Sequence, residues 1–333
     1  MIEIRPPYAL FLGDVTNPLD AKTAYGLAQW RANDCLGQIR LPSCKVDLGI
    51  EDLSLSDAKA RGVRSIIIGV APTGGQLPIE WQAELLQAVN MGFDIASGLH
   101  QRLHELAEFT KAAELNNTQL IDVRDAPKCY TVASGKKRSG KRVLTVGTDC
   151  CVGKKYTALA LHKALANRGA KATFRASGQT GILISGAGIP IDAIVSDFIS
   201  GAAEALSPDN SEDHWDVIEG QGSLYHPGYA AVTLGLLHGS QADALVLCHE
   251  YGREAIDEYP DYPIPNIEEY LQHYLSLARL TNKNAKWAGI SLNTAALSSE
   301  ERLKVISDYE DRYQLPCIDP LVSDLSKITS RLS

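Results

Sequence analysis

The residues with the clearest chemistry lie in one run, Gly147-Thr148-Asp149-Cys150-Cys151-Val152-Gly153-Lys154-Lys155-Tyr156-Thr157. The apolar Val143-Leu-Thr-Val146 precedes it, and a long alternation of alanine, leucine and lysine follows. Strand, glycine loop, lysine and helix in that order predict an anion cradle. Glycines let backbone N–H groups turn inward, the helix N-terminus adds partial positive charge, and Lys154 brings a full charge to a phosphate oxygen. Two features depart from the common phosphate loop. Five residues, not four, separate Gly147 from Gly153, and Lys155 stands where a Ser or Thr hydroxyl would meet Mg²⁺. A bound phosphate is therefore expected, while ATP chemistry with Mg²⁺ would need Thr157 to substitute for the missing hydroxyl.

Downstream, Asp216-Val-Ile218 leads into Glu219-Gly220-Gln221-Gly222-Ser223, a strand ending on a carboxylate and a glycine turn. In phosphate-loop folds a carboxylate there holds the metal or orients a nucleophile. Glu219 is thus a catalytic candidate, against the alternative of a structural turn residue. His226 is a second candidate as a general base near neutral pH, or else a surface histidine near a helix start. Gln179 and Thr180 follow the strand Lys171–Ala176 and are expected to face the same crevice. Arg175 and Arg253 are the arginines nearest strand ends, where a guanidinium fork could clamp a carboxylate substrate. No His/Cys cluster has zinc-ligand spacing and no Gly-x-Ser-x-Gly elbow is present, so no metal site is expected.

The elements that must position these groups read as two α/β domains, each a doubly wound parallel sheet. Residues 1–127 are expected as a Rossmann-like domain, 128–141 as a basic linker and 142–333 as the phosphate-loop domain. In the first, runs at 8–13, 65–70, 92–96 and 119–123 read as strands alternating with helices, the first helix spanning 19–30. Three loops at strand ends carry Asp14, Thr73-Gly74-Gly75 and Ser97-Gly98 with His100. Ligands of open α/β sheets bind at that edge, so the loops form a second candidate site. Plain turns and helix caps explain each residue equally well. No Gly-x-Gly-x-x-Gly fingerprint is present in this domain, which argues against a dinucleotide. The boundary run 126–142 carries Lys136, Lys137, Arg138, Lys141 and Arg142 and reads as solvated chain or as a cationic lure for a phosphorylated cofactor. Beyond it, 192–206, 266–281 and 298–313 read as helices, and 242–248, 287–292 and 316–319 as strands.

Length and composition are those of a globular protein with room for two cores: 333 residues, 45% hydrophobic, 22% charged. The net charge of −8 argues against nucleic acid, and no apolar stretch approaches a membrane span. Seven cysteines without framework spacing fit a reducing cytoplasm. Cys150 and Cys151 read as small loop residues. The expected partners are a small carboxylate or amino acid and further copies of the same chain.

The wording Gly-Thr-Asp-x-x-Val-Gly-Lys, and the segment Glu219-Gly-Gln-Gly222, resemble dethiobiotin synthetase, an ATP-dependent ligase. Over its whole length the chain resembles a bacterial two-domain family long catalogued as of unknown function. The matching residues are Phe11-Leu-Gly-Asp14, Gly69-Val-Ala-Pro-Thr-Gly74, Gly98-Leu-His100, the phosphate loop, Gly178-Gln-Thr-Gly181, Asp197-Phe198 and Glu219-Gly-Gln-Gly-Ser223. The resemblance implies a Rossmann-like N-terminal and a phosphate-loop C-terminal domain. It also implies, from some members, D-glutamate N-acetylation with acetyl-CoA. A coenzyme A diphosphate can sit in a phosphate loop without hydrolysis, which makes Lys155 a second phosphate cation. An ATP- and Mg²⁺-dependent ligase or kinase, or a non-catalytic nucleotide-binding protein, is the alternative.

Overall fold

The computed structural model describes residues 4–72, 74–125 and 130–332. Thr73 of the second-site loop and the expected 127/128 boundary lie outside the described residues. The chain divides into two compact units, Met1–Pro127 with Gln179–Ala193, and Lys128–Gly178 with Ile194–Ser333. The segment 179–193 therefore leaves the phosphate-loop domain, where the sequence reading had put it.

In the first unit, β1 (Tyr8–Gly13), β2 (Cys35–Arg40), β3 (Ser65–Ile68), β4 (Asp94–Ser97) and β5 (Leu120–Asp122) form one sheet in the order β2-β1-β3-β4-β5. All its pairings are parallel. β1, β3 and β4 are buried along their length, as continuous apolar runs require of a sheet covered on both faces. β2 was not expected. Cys-Leu-Gly-Gln-Ile-Arg lacks such a run because it lies at the sheet's edge. The expected first helix is split into a 3₁₀ turn, Pro18–Ala21, and a helix, Lys22–Trp30. The helix Gln179–Ser185 packs against Lys22–Trp30, where the Thr23 and Thr180 hydroxyls bond at 2.7 Å and Arg31 donates to the Ile184 carbonyl.

The second unit is built on β6 (Lys141–Gly147), β7 (Ala172–Arg175), β8 (Trp215–Ile218), β9 (Ala244–Glu250), β12 (Lys286–Asn293) and β13 (Cys317–Ile318). Their order is β13-β12-β9-β6-β8-β7, again all parallel. An antiparallel hairpin of β10 (Ala255–Ile256) and β11 (Tyr259–Pro263) was not foreseen. The expected helix 192–206 is interrupted, and only Ile199–Leu206 is α-helical.

The basic run is solvated at Lys136 and Lys137 but not at Arg138 and Arg142. Arg142 is 1% exposed and donates to the carbonyls of Arg138, Ser139, Gly140 and Pro208 and to the Ser207 hydroxyl. Arg138 donates to the Ser207, Gly239 and Ser240 carbonyls, and burial lowers its pKa to about 10. Lys137 pairs with Asp243 at 2.7 Å. These cations tie the approach to β6 onto two neighbouring loops, and the carbonyls of those loops take up the charge. Among the described residues no helix is long and apolar enough to cross a membrane.

Candidate functional site

β6 lies between β8 on one side and β9 on the other, so the loop leaving its carboxyl end opens where the chain's path across the sheet reverses. That is the ligand position of open α/β sheets. Three hydroxyls fix the loop's entry. Tyr274 donates to the Gly147 carbonyl at 2.8 Å, and the Thr148 carbonyl accepts from Tyr270 at 2.8 Å and from Ser223 at 2.9 Å. A trans peptide sets its N–H opposite its C=O, so gripping the Thr148 carbonyl from behind aims the Asp149 N–H the other way. Burial pushes both tyrosine phenols up, which keeps them as O–H donors.

Asp149 is fully buried and acts as the loop's internal anchor. Its Oδ1 accepts from the Cys150 N–H at 2.6 Å, and its Oδ2 accepts from Arg253 Nη1 and the Asp257 N–H, each at 2.8 Å. Cys151 and Gly153 take positive φ, 60° and 105°, and turn the chain into the helix Lys154–Asn167. Val152 is buried beneath that turn. The helix has no side-chain cap and no acidic residue in its first turn, so no cap or carboxylate of its own offsets the positive end of its dipole. Lys154 is 7% exposed and lies across the loop, its Nζ donating to the Asp149 carbonyl at 2.6 Å. A charge that deep needs an anion or several acceptors, and a phosphate supplies both. Lys155 Nζ stands 4.7 Å over the Tyr156 ring. Thr157 does not replace the missing metal hydroxyl. Its Oγ1 donates to the Gly153 carbonyl and meets Ser291 Oγ at 2.7 Å inside the sheet–helix seam.

Glu219 is 4% exposed at the end of β8. Its Oε2 accepts from the Ser177 and Gly178 N–H groups at 3.0 and 3.2 Å, and Ser177 Oγ donates to its carbonyl at 2.5 Å. The carboxylate therefore shapes the turn after β7. Gly220 lets the chain after Glu219 lie against β6, because a Cβ there would stand 1.7 Å from the Thr145 carbonyl. Arg175 is no substrate clamp, for its Nε is held by buried Asp216 at 2.8 Å.

His226 is not a surface histidine. It is 2% exposed, and its Nδ1 accepts N–H bonds from Gly228 at 3.0 Å and Tyr229 at 3.2 Å. The ring proton then sits on Nε2, 3.9 Å from Asp149 Oδ1. Burial pushes its pKa down, so the ring stays neutral with no free lone pair to accept a proton. The same tautomer bears on a metal. Asp149, Cys150 and His226 bring ligating atoms within 4.8 Å of one another. An Nε2 that carries its proton offers an ion no lone pair.

The remaining candidates belong to the first unit and are occupied by packing. Asp14 Oδ1 accepts from the Trp81 indole at 2.7 Å. The His100 ring lies against Gly75, and the Gln179 side chain fills the space a Cβ at Gly98 would take. Thr180 bonds Thr23, and Arg124 closes this edge on the Gly98 carbonyl and Asp192. Gln179 and Thr180 thus serve the first unit, because the chain leaves β7's edge at Gly178 and begins a helix there.

Sequence reading missed Tyr270, Tyr274 and His249. The tyrosines are four apart on the helix Ile267–Ala278, a spacing that puts both on one face. His249 is the last residue but one of the apolar strand β9, and its Nδ1 meets Thr148 Oγ1 at 2.9 Å.

Residues 131–329 match the domain of unknown function described as the DUF1611 P-loop domain, and residues 40–126 match its Rossmann-like N-terminal domain. A protein of Tritonibacter scottomollicae named D-glutamate N-acetyltransferase is 48% identical over 99% of both chains. One of a Pseudoalteromonas species with the same name is 44% identical over 99% of this chain and 100% of its own. The crystal structure of a DUF1611 family protein from Anabaena variabilis covers 98% of this chain and 100% of its own, with a TM-score of 0.89 at 32% identity. With two domain matches in the expected order and full-length likeness to these relatives, the chain belongs to the DUF1611 family.

Proposed function

We propose that this protein is an enzyme that moves the acetyl group of acetyl-CoA to the amine of D-glutamate. The observation that carries this reading is near-half identity, end to end, with two relatives named D-glutamate N-acetyltransferase. The phosphate loop supports it. Lys154, the uncapped helix and the inward Asp149 amide suit the diphosphate of coenzyme A. The absence of a hydroxyl at Lys155, with Thr157 bonded elsewhere, leaves Mg²⁺-assisted phosphoryl transfer without its usual ligand.

With the diphosphate in the loop, the thioester lies a pantetheine arm away. His226, whose ring approaches Asp149, then stands at the phosphates and not at the reacting carbonyl. Acetyl transfer needs a base for the ammonium proton and donors for the tetrahedral oxyanion. Glu219 is assigned here the ordering of the Ser177–Gly178 turn, with proton removal as its alternative role.

Purified protein given acetyl-CoA and D-glutamate should release free thiol and form N-acetylglutamate without ATP. No thiol release with a panel of D- and L-amino acids, together with ATP consumption, would replace the transferase by the ligase. Glu219→Gln separates the two roles of that residue. A base would lose about a hundredfold in kcat, whereas a positioning carboxylate would raise KM for acetyl-CoA. Lys155→Thr should not start ATP hydrolysis.

A further inference from the structure

Beyond the phosphate loop, the carboxyl edge of β9 and β12 carries a set of groups that anion binding does not use. From Thr148 the set runs outward. The Thr148 hydroxyl meets His249, the His249 ring stacks on Tyr309 with centroids 6.5 Å apart, and Tyr309 meets Tyr251 edge-on at the same separation. Tyr313 backs Tyr309 at 5.3 Å. Tyr251 ends this series 40% exposed, its ring set edge-on against Tyr309 and its backbone N–H donating to the Asn293 carbonyl at 3.1 Å. A large aromatic face held this firmly at the surface is available for stacking on a ligand.

Asn293 ends the neighbouring strand in register with Glu250. Its Oδ1 accepts from the Ala295 N–H at 3.2 Å, and its Nδ2 has no protein partner among the described residues. An aromatic face beside an amide edge is what recognises a purine: the face stacks on the ring and the amide reads its nitrogens. The spacing fits. Gly147 pairs with Cys248, and Tyr251 lies three residues further along, about 10 Å at strand rise. A phosphate and a ribose bridge a gap of that order.

We propose that Tyr251 and Asn293 form a purine site, so that a ligand whose diphosphate occupies the loop rests its adenine on Tyr251. The inference deepens the acetyl-CoA reading and rests on it for the physiological ligand, but the site takes any adenine diphosphate. The test is calorimetry with ADP and with inorganic pyrophosphate on wild type, Tyr251→Ala and Tyr251→Phe, none of which disturbs the core. ADP should bind about tenfold more weakly to the alanine variant and near normally to phenylalanine, with pyrophosphate binding equal in all three. Tyr251→Ala that binds ADP as wild type does, or that loses pyrophosphate equally, overturns the site. So does wild type that binds pyrophosphate but gains nothing from the adenosine. Thiol release is measured separately, so a failed transferase reading and a failed purine site give different results.

Discussion

Both units present glycine-bearing loops at the carboxyl edge of a parallel sheet, yet the two edges are finished differently. In the first unit each opening is filled from within: Trp81 takes Asp14, His100 covers Gly75, Gln179 fills the space at Gly98, and Arg124 closes on Asp192. In the second unit the loop is braced from behind by Tyr270, Tyr274, Ser223 and Arg253, the side chain lying across it is the cation Lys154, and its helix N-terminus has no side-chain cap. The same sequence signal, glycine after strand, therefore marks a packed corner in one unit and an anion cradle in the other. What separates them is what the protein sets at the opening: packed neutral or paired side chains in one unit, a buried cation in the other.

The largest effect expected from this contrast is in the glycines. Gly220→Ala places a Cβ 1.7 Å from the Thr145 carbonyl, which belongs to a central strand and cannot yield. Gly98→Ala meets the Gln179 side chain, whose Oε1 at 1.9 Å can turn away but whose Cβ at 2.9 Å must shift with its helix. The first should cost about 3 kcal/mol or more and the second about 1, read from urea midpoints. Equal losses would mean that the filled edge is as rigid as the cradle's support.

Acid should expose the second difference. The buried histidines near the loop, His249 and His226, belong to the second unit, while His100 and His104 of the first are exposed. Burial, aided by Arg253, pushes His249 down to about 4 from an ordinary 6.5. The unfolded chain takes its proton near 6.5 and the folded chain only near 4. Stability is thus fully present above pH 6.5 and falls as the pH drops, by about 3 kcal/mol at pH 4. His226 shifts in the same direction. His249→Gln should flatten this slope between pH 7 and 4.5. A slope unchanged in the variant places its origin elsewhere.

Lys154→Ala should weaken binding of the phosphorylated ligand by at least about 1.5 kcal/mol, the lower end for a charge-assisted bond. Unchanged affinity in calorimetry would remove the loop's claim to phosphate. The smallest effect is reserved for the first unit. Asp14→Asn keeps an acceptor for the Trp81 indole, so stability and turnover should stay within about 0.5 kcal/mol of wild type. A tenfold rise in KM for the amino acid would instead make this edge a substrate site.

Much of this was legible in the chain itself. Strand, loop, lysine and helix at 143–167 are local, set by β-branched residues, glycine dihedrals and alanine-rich helix propensity, so the loop and the parallel α/β class follow from neighbouring residues alone. The carboxylate ending β8 was equally local. What tertiary structure decided was the partner of each polar group. His226 has the composition of a general base, but two backbone N–H groups from its own turn take its lone pair. Arg175 has the charge of a clamp, but Asp216, forty-one residues on, already holds it. Gln179 and Thr180 follow β7 in sequence, yet their helix packs with the first unit. The basic run reads as solvated chain, but Arg138 and Arg142 are buried among carbonyls from residues 207, 208, 239 and 240. Residue type and spacing determine what a side chain can offer. Whether it remains on offer depends on long-range packing, because a buried polar group must find its partner wherever the fold brings one within reach.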